Sequence, residues 1–543
     1  MAATIPLAIP LHELHGLYPS FLSEPSAADP QLILDETTPI PLRDLTRFTA
    51  GHRARLADGI LADLERWNAP GAARTSAERL RDASSYAVVT GQQAGIAGGP
   101  LYTFYKALGT VRLAEKLAAA HPGTAFIPVF WIEGDDHDID EVRAVALPER
   151  DGGIKRISYD DGDTRRVSVA RRAVSADGMA RFVAAVREAL GETDFTEEVV
   201  ALLQTAYEGE GMTLVDGFAR FLYALLGDTP LVLLSSDNHA LKGLASDILA
   251  REAAEPERLC EAVARRTDTL RAAGLPTPID PKPGALFLQH EGERLSLDPD
   301  GGIYRLRGTE TTFTRDAIAA IAVSNPEHLS PKVALRPIVQ DAILPTAIYL
   351  GGPSETAYLL QLRDAYPLFD LERPAVGSRP FVTLVEAKVE RVVEKGAVGV
   401  LDLLDPSFDP IALSIDEESM RRIDEEEAEG KRMIAAAFER LLGLADGIDR
   451  SLVGSIGAGT RKSEKELEIM AVRLRAALKR KAETEIKRFE SAHAALLPGG
   501  KPQERSVSVL FLANRYGIDA VRRVFEEIAY MPGAMQVVRI PLR

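Results

Sequence analysis

One stretch, residues 86 to 141, constrains the fold more than any other. YAVV (Tyr86 to Val89) is a short apolar run rich in β-branched residues, as a buried parallel strand requires. It breaks into TGQQAGIAGGP, with glycines at 91, 95, 98 and 99. Pro100 suits the first turn of a helix. Leu101, Tyr105, Leu108, Val111 and Ala114 then recur at helical spacing until His121-Pro122-Gly123 stops the pattern. AFIPVFWI (Ala125 to Ile132) is a second apolar strand. Strand, glycine loop, helix and strand make a βαβ unit, which commits this part of the chain to a parallel sheet.

Two further apolar runs extend that sheet. Leu231 to Ser236 is followed by Asp237-Asn238-His239, and Thr346 to Leu350 by Gly-Gly-Pro-Ser-Glu and a helical stretch. The second repeats the strand, Gly-Gly-Pro, helix order of the first unit. The expected fold is a Rossmann-type, doubly wound α/β core built from residues 1–150, 211–249 and 330–380. Residues 151–210 and 250–329 read as insertions, the latter with a hairpin turn at Asp300-Gly301-Gly302. Residues 381–497 change texture. Ile434, Phe438, Leu441, Ala445, Ile448 and Leu452 alternate steps of four and three, a heptad seam. A second seam runs through Leu467, Met470, Leu474, Ala477, Ile486 and Phe489. With Gly454, Gly457 and Gly459 as the bend, they predict an antiparallel coiled-coil hairpin. Residues 498–543 hold a turn, an apolar strand-like run and a last helix, and are expected to return to the core.

Charge and cysteine content exclude several roles. Eighty Asp and Glu against 64 Lys and Arg give a net charge of −16, which disfavours a broad nucleic-acid surface but not a local basic pocket. The single Cys260 lies in a helical stretch and reads as structural. It excludes an internal disulfide and a Cys-x-x-Cys zinc site. No apolar run approaches the roughly 18 residues of a membrane helix, and the start does not read as a signal peptide, so a cytoplasmic location is expected.

Polar motifs sit where an α/β sheet binds ligands, at strand ends before helix N-termini. The glycine loop brings Gly91, Gln92, Gln93 and Gly99, with Tyr102 and Lys106 on the following helix, but it matches neither the dinucleotide nor the P-loop pattern. EGDDHDIDE (Glu133 to Glu141) places Asp135, Asp136, His137 and Asp138 after the second strand. Such a cluster can hold Mg²⁺ on a nucleotide, transfer protons or bind a substrate ammonium. Zinc is not expected, with one histidine and no thiol near. Asp237, Asn238 and His239, then Arg336, Gln340 and Glu355, would converge on the same crevice.

The words TGQQAG…GGPLYTFYKAL, PVFWIEGDDHDIDEV, LRPIVQDAILPTAIYLGGPSETAYLLQL and PGGKPQERSVSVLFLANRYG together resemble the bacillithiol cysteine-adding enzyme family, the cysteine ligases of bacillithiol biosynthesis, in order over essentially the whole chain. The resemblance implies a core similar to class I aminoacyl-tRNA synthetases with two connecting insertions, and a coiled coil that makes a homodimer. It implies a ligase joining the carboxyl group of L-cysteine to the amine of glucosaminyl-malate, with ATP as the expected energy source. It implies catalytic roles for Asp136, His137, Asp138 and Lys106, and substrate contacts from Gly91, Gln92, Gln93, Gly99, Tyr102, Asp135, Asp237, Asn238, His239, Arg336, Gln340 and Glu355. A nucleotide would lie against Gly377, Ser378, Arg505, Asn514 and Tyr516. The HIGH and KMSKS signatures of class I synthetases are absent, a departure that leaves activation by adenylate or by acyl phosphate open. Two alternatives stay open: a nucleotidyltransferase activating a small acid, and a non-enzymatic nucleotide-sensing coiled-coil dimer.

Overall fold

The computed structural model describes residues 7–14, 16–22, 32–33, 39–149, 152–395, 398–414 and 417–540. Its centre is a six-stranded parallel sheet. In chain order the strands are β1 (Leu32–Ile33), β2 (Tyr86–Gln93), β3 (Phe126–Glu133), β4 (Val232–Ser235), β5 (Thr346–Gly351) and β6 (Ala375–Ser378). Their spatial order is β1-β6-β5-β2-β3-β4. Every neighbouring pair is parallel. Parallel strands covered on both faces should be apolar throughout rather than alternating, and all six residues of β5 and seven of eight in β3 are buried.

The strand order locates the ligand crevice. The chain winds outward from β2 through β3 to β4, then crosses back to β5 on the other side of β2. The sheet therefore reverses direction between β2 and β5, and loops leaving their carboxyl ends diverge and open a cleft. β2 is longer than the apolar run suggested. It continues through Thr90, Gly91, Gln92 and Gln93, paired to Phe130 through Glu133 of β3. The start of the expected glycine loop is therefore strand, and it presents Gln92 and Gln93 at the sheet edge.

Helix α1 (Tyr102–Ala120) follows the loop, α2 (Arg336–Ile343) precedes β5 and α3 (Pro353–Leu362) follows it. Gly109 lets α1 lie against the segment after β6, since a Cβ there would stand 2.3 Å from Pro380 Cδ. That contact seats the neighbouring Arg379. Beyond it, β7 (Phe381–Val385) pairs in parallel with β8 (Ala534–Arg539), which also pairs antiparallel with Ala8–Pro10. The stretch 250–329 contributes four strands of a five-stranded antiparallel sheet, completed by Leu329–Pro331, with its turn at Gly301-Gly302.

Two long helices, α4 (Glu417–Ile448) and α5 (Leu452–Leu496), form an antiparallel hairpin. The bend is not the expected glycine cluster. It is Asp449-Arg450-Ser451, where the Asp449 carboxylate accepts from Ser451 N at 2.8 Å. Gly454, Gly457 and Gly459 lie inside α5. Close approach explains Gly459: a Cβ there would meet Phe438 Cε1 of α4 at 2.9 Å. The strand-like run of the tail is also corrected. Leu510–Tyr516 is helix α6, because Val509, Leu510, Leu512 and Ala513 bury a helical surface against the core. Among the described residues no helix is long and apolar enough to cross a membrane.

Candidate active site

A cavity of about 540 Å³ opens at the carboxyl ends of β2, β3 and β5. Its floor is the end of β2. Lys106, on the second turn of α1 and 1% exposed, reaches back to Gly91 O at 2.7 Å and Gln92 Oε1 at 3.0 Å, and forms an ion pair with Glu355. Those three acceptors match the three ammonium protons, so Lys106 ties β2 to α3 rather than standing free. Burial lowers its pKa against the pull of Glu355. Glu355 also accepts from Gly352 N and the Tyr349 hydroxyl, both at 2.8 Å, and these donors with Lys106 hold its carboxylate below the usual range despite burial.

The second wall is the loop after β3. Gln93 donates to Asp136 Oδ2 at 2.9 Å. Arg294, from the strand Glu293–Asp300, comes within 3.7 Å of Asp136 and donates to His137 Nδ1 at 3.1 Å. An arginine can only donate, so Nδ1 accepts and the ring proton sits on Nε2. Burial and Arg294 both lower the His137 pKa, which keeps the ring neutral near pH 7. Burial would raise Asp136, but Arg294 and the Gln93 amide carry it below the usual range. The Arg294 guanidinium stacks 3.7 Å from the Phe287 ring centroid and is braced by Ser330 Oγ at 2.8 Å.

The far wall is cationic. Arg336 lies 3.5 Å from Glu133 and bonds the Tyr358 hydroxyl. Arg379 pairs with Glu504 through two bonds of 2.8 and 2.6 Å and lies 5.1 Å from the Tyr102 ring centroid. With Lys106, Arg294, Lys332 and Arg505, six cationic side chains line the cavity against three carboxylates, Glu133, Asp136 and Glu355. An anion-attracting pocket in a chain of net charge −16 is local design rather than composition.

Nine expected residues meet in this crevice: Gly91, Gln92, Gln93, Tyr102, Lys106, Asp136, His137, Arg336 and Glu355, joined by Arg505 from the tail. Others stand elsewhere. Asp138 caps the short helix Ile139–Val142 by accepting from Asp140 N. Gln340 is buried in α2 with its amide on Asp341. Asn238 caps the helix His239–Lys242 and donates to Asp63 at 2.8 Å. Gly99 lines a neighbouring cavity. Gly377 and Ser378 are buried in β6. Asn514 donates to Leu190 O and Gly191 O, and Tyr516 to Glu386 at 2.8 Å.

Asp135 and Asp237 form a buried cluster behind the crevice. Lys242 reaches Asp135 at 2.7 Å and Asp237 at 3.3 Å, and Arg171 grips Asp237 through two bonds of 3.0 Å while reaching His239 Nε2 at 3.1 Å. Burial pushes the Asp135 carboxyl up, whereas Lys242 and Arg171 hold Asp237 down against burial. Replacing Lys242 with Met is expected to cost about 2–3 kcal/mol in urea unfolding at neutral pH, because two carboxylates lose a buried partner. The sign follows from linkage: a carboxyl whose folded pKa rises destabilises the fold above its unfolded pKa. The loss should therefore grow from pH 6 to pH 8.

Phe287, Arg294, Lys332, Tyr358 and Arg379 were not singled out from sequence, and Glu133 only as the start of the acidic run. Arg379 carried a usable signal, a charged residue directly after a buried strand. Arg294 carried none, since an arginine in an alternating strand reads as a solvated face.

Fold and site together define a Rossmann-like enzyme whose crevice suits an anionic small molecule and whose chain continues into a coiled-coil arm. Residues 41–380 match the N-terminal Rossmann-like domain of bacillithiol biosynthesis BshC, and residues 382–540 match its C-terminal coiled-coil domain. The chain belongs to the BshC family and is a ligase of bacillithiol biosynthesis. A relative from Salinibacter ruber, named as a cysteine ligase, is 34% identical over 468 residues, covering 86% of this chain and 84% of that protein. Another of that name, from Geobacillus kaustophilus, is 31% identical over 477 residues, covering 87% and 88%. Among solved structures, an arginyl-tRNA synthetase from Campylobacter jejuni aligns over 82% of this chain and 94% of its own at 10% identity, but its TM-score of 0.24 carries no argument.

Proposed function

We propose that the crevice joins the carboxyl group of L-cysteine to the amine of glucosaminyl-malate, the last step of bacillithiol biosynthesis, with ATP as the energy source. The observation that carries this reading is the gathering of six cationic side chains at the point where the sheet reverses, against Glu133, Asp136 and Glu355 on the wall and Glu504 and Asp298 beside Arg379 and Lys332, one cation in excess. Malate is a dicarboxylate, and Arg294, Arg336 and Lys332 are its partners here: two planar forks and one point charge. Asp136, held ionised, accepts from the attacking amine and orients it. Neutral His137 offers Nε2–H to an acyl oxygen. ATP supplies the leaving group that turns the cysteine carboxylate into an acyl donor. The same cationic balance suits its phosphates, with Arg505 as the tail residue placed to meet them. Among the described residues no group of three or more His, Cys, Asp or Glu is arranged for a metal ion, and Mg²⁺ would enter with the nucleotide.

This reading includes a cytoplasmic homodimer formed through the hairpin. Met433, Leu444 and Leu474 stay 57–62% exposed there, an apolar face that a second copy would cover.

The test is product formation by the purified protein with glucosaminyl-malate, L-cysteine, Mg²⁺ and ATP, each omitted in turn. Product that requires all four supports the reading, and AMP or ADP in the same samples names the activation. Product formed without ATP would overturn the energy source. No product would overturn the proposed reaction.

A pH dependence follows from Lys332. Burial lowers its ammonium pKa to about 8, against the pull of Asp298. Below that pH the side chain is charged and attracts a carboxylate, and above it the attraction is lost. The affinity for L-malate should fall as pH rises through about 8, and Lys332→Met should flatten that profile.

A further inference from the structure

A second cavity, of about 500 Å³, lies on the other side of the β2 edge. It is separated from the crevice by Gln92, Gln93, Tyr102 and Arg505, which line both spaces. Its walls are the glycine loop at Gly95 and Gly99, the strand Ala144–Pro148, and the tail at Ser506, Val507 and Ser508. The walls are tied together, since Leu101 N donates to Val507 O at 3.0 Å and Ser508 N to Ala146 O at 2.9 Å. Asp140, which also pairs with Arg143 at 2.6 Å, and Glu141 line it together with Arg156 and Arg505. Groups of both signs across one small space suit a zwitterion.

We propose that this second cavity is the amino-acid compartment of the enzyme, a zwitterion subsite that meets the anion crevice at the Gln92–Gln93–Tyr102–Arg505 seam. The inference rests on the ligase reading, which requires two different small molecules to meet at one bond. Glu141 and Asp140 take the amino acid's ammonium group, and Arg505 takes its carboxylate. Arg505 is the cation shared by both spaces, so the carboxylate to be activated lies at the seam, facing the amine held in the crevice. Gln93 marks that boundary physically, with its amide donating to Asp136 on one side and to Glu141 on the other.

The test fills one space at a time in the full-length protein and reads binding, not turnover. Ala146→Trp places an indole in the second cavity, and Val333→Trp, at a half-exposed position on the crevice wall, fills the first. Retention of ³⁵S-labelled L-cysteine and of ¹⁴C-labelled L-malate is measured by equilibrium dialysis. Ala146→Trp should weaken cysteine binding about tenfold or more and leave malate within about twofold, and Val333→Trp should do the reverse. Glu141→Gln, a substitution that adds no bulk, should weaken cysteine alone. Cysteine lost in Val333→Trp but kept in Ala146→Trp and Glu141→Gln would overturn the compartment while leaving the ligase reading standing. A wild-type protein that retains neither probe would overturn both.

Discussion

Arg379→Met is expected to lower the unfolding free energy by about 3–5 kcal/mol. Arg379 and Glu504 are each no more than 1% exposed. The Glu504 carboxylate accepts from both Arg379 nitrogens, from the Tyr18 hydroxyl at 2.8 Å and from Val382 N at 3.1 Å. Removing the guanidinium leaves a buried negative charge without its counter-ion, held by the Tyr18 hydroxyl and Val382 N, which is far worse than never having had the pair. The double variant Arg379→Met with Glu504→Gln should therefore be more stable than Arg379→Met alone. Urea midpoints of the three proteins check this. A single variant that unfolds at the wild-type midpoint would show that water reaches the pair.

Arg294→Ala should lower kcat/KM for glucosaminyl-malate by about 30- to 150-fold, the equivalent of 2–3 kcal/mol for a charged hydrogen-bonded contact. Most of the loss should fall on KM for that substrate, with KM for cysteine changed little. Lysine should not rescue it. The guanidinium stacks flat on Phe287 while bonding Ser330 and His137 at once, and an ammonium point charge cannot reproduce three directions from one plane. The His137 pKa should rise in the variant, because Arg294, after burial, is the largest influence that lowers it. Equal increases in both KM values would assign Arg294 to the architecture of the cleft instead of to one substrate.

The central sheet was legible because its information is local. Tyr86 to Val89 and Ala125 to Ile132 are apolar without alternation, and glycine and proline mark where each strand hands over to a helix. Residues at the carboxyl ends of neighbouring strands tend to converge, which is why Gln93, Asp136 and Glu355 could be placed on one crevice from spacing, whereas Arg336 reaches it from the start of α2. Asp237, Asn238 and His239 also sit at a strand end, but β4 is an edge strand, two strands beyond β2 from the reversal point, so they lie behind the crevice. Arg294 and Phe287 arrive from an antiparallel sheet whose docking depends on long-range packing, for which no local pattern exists. Gly454, Gly457 and Gly459 misled because a glycine in a helix reads as a breaker unless the partner helix is known. Phe438 supplies the reason for Gly459 only in three dimensions.

The small sheet that joins Ala8–Pro10 to β8 and β7 bears on how the protein is made. A ribosome delivers Ala8–Pro10 early and β8 very late, yet the two are hydrogen-bonded neighbours. The early strand has no edge to pair with until nearly all of the described chain has emerged. Pairing across such a sequence separation closes slowly, because the loop entropy is lost before the contacts form. Arg505, Glu504 and Val507 emerge on the same late segment, so neither the crevice nor the cavity beside it has a complete wall before then. Both cavities are thus completed only when this late segment docks.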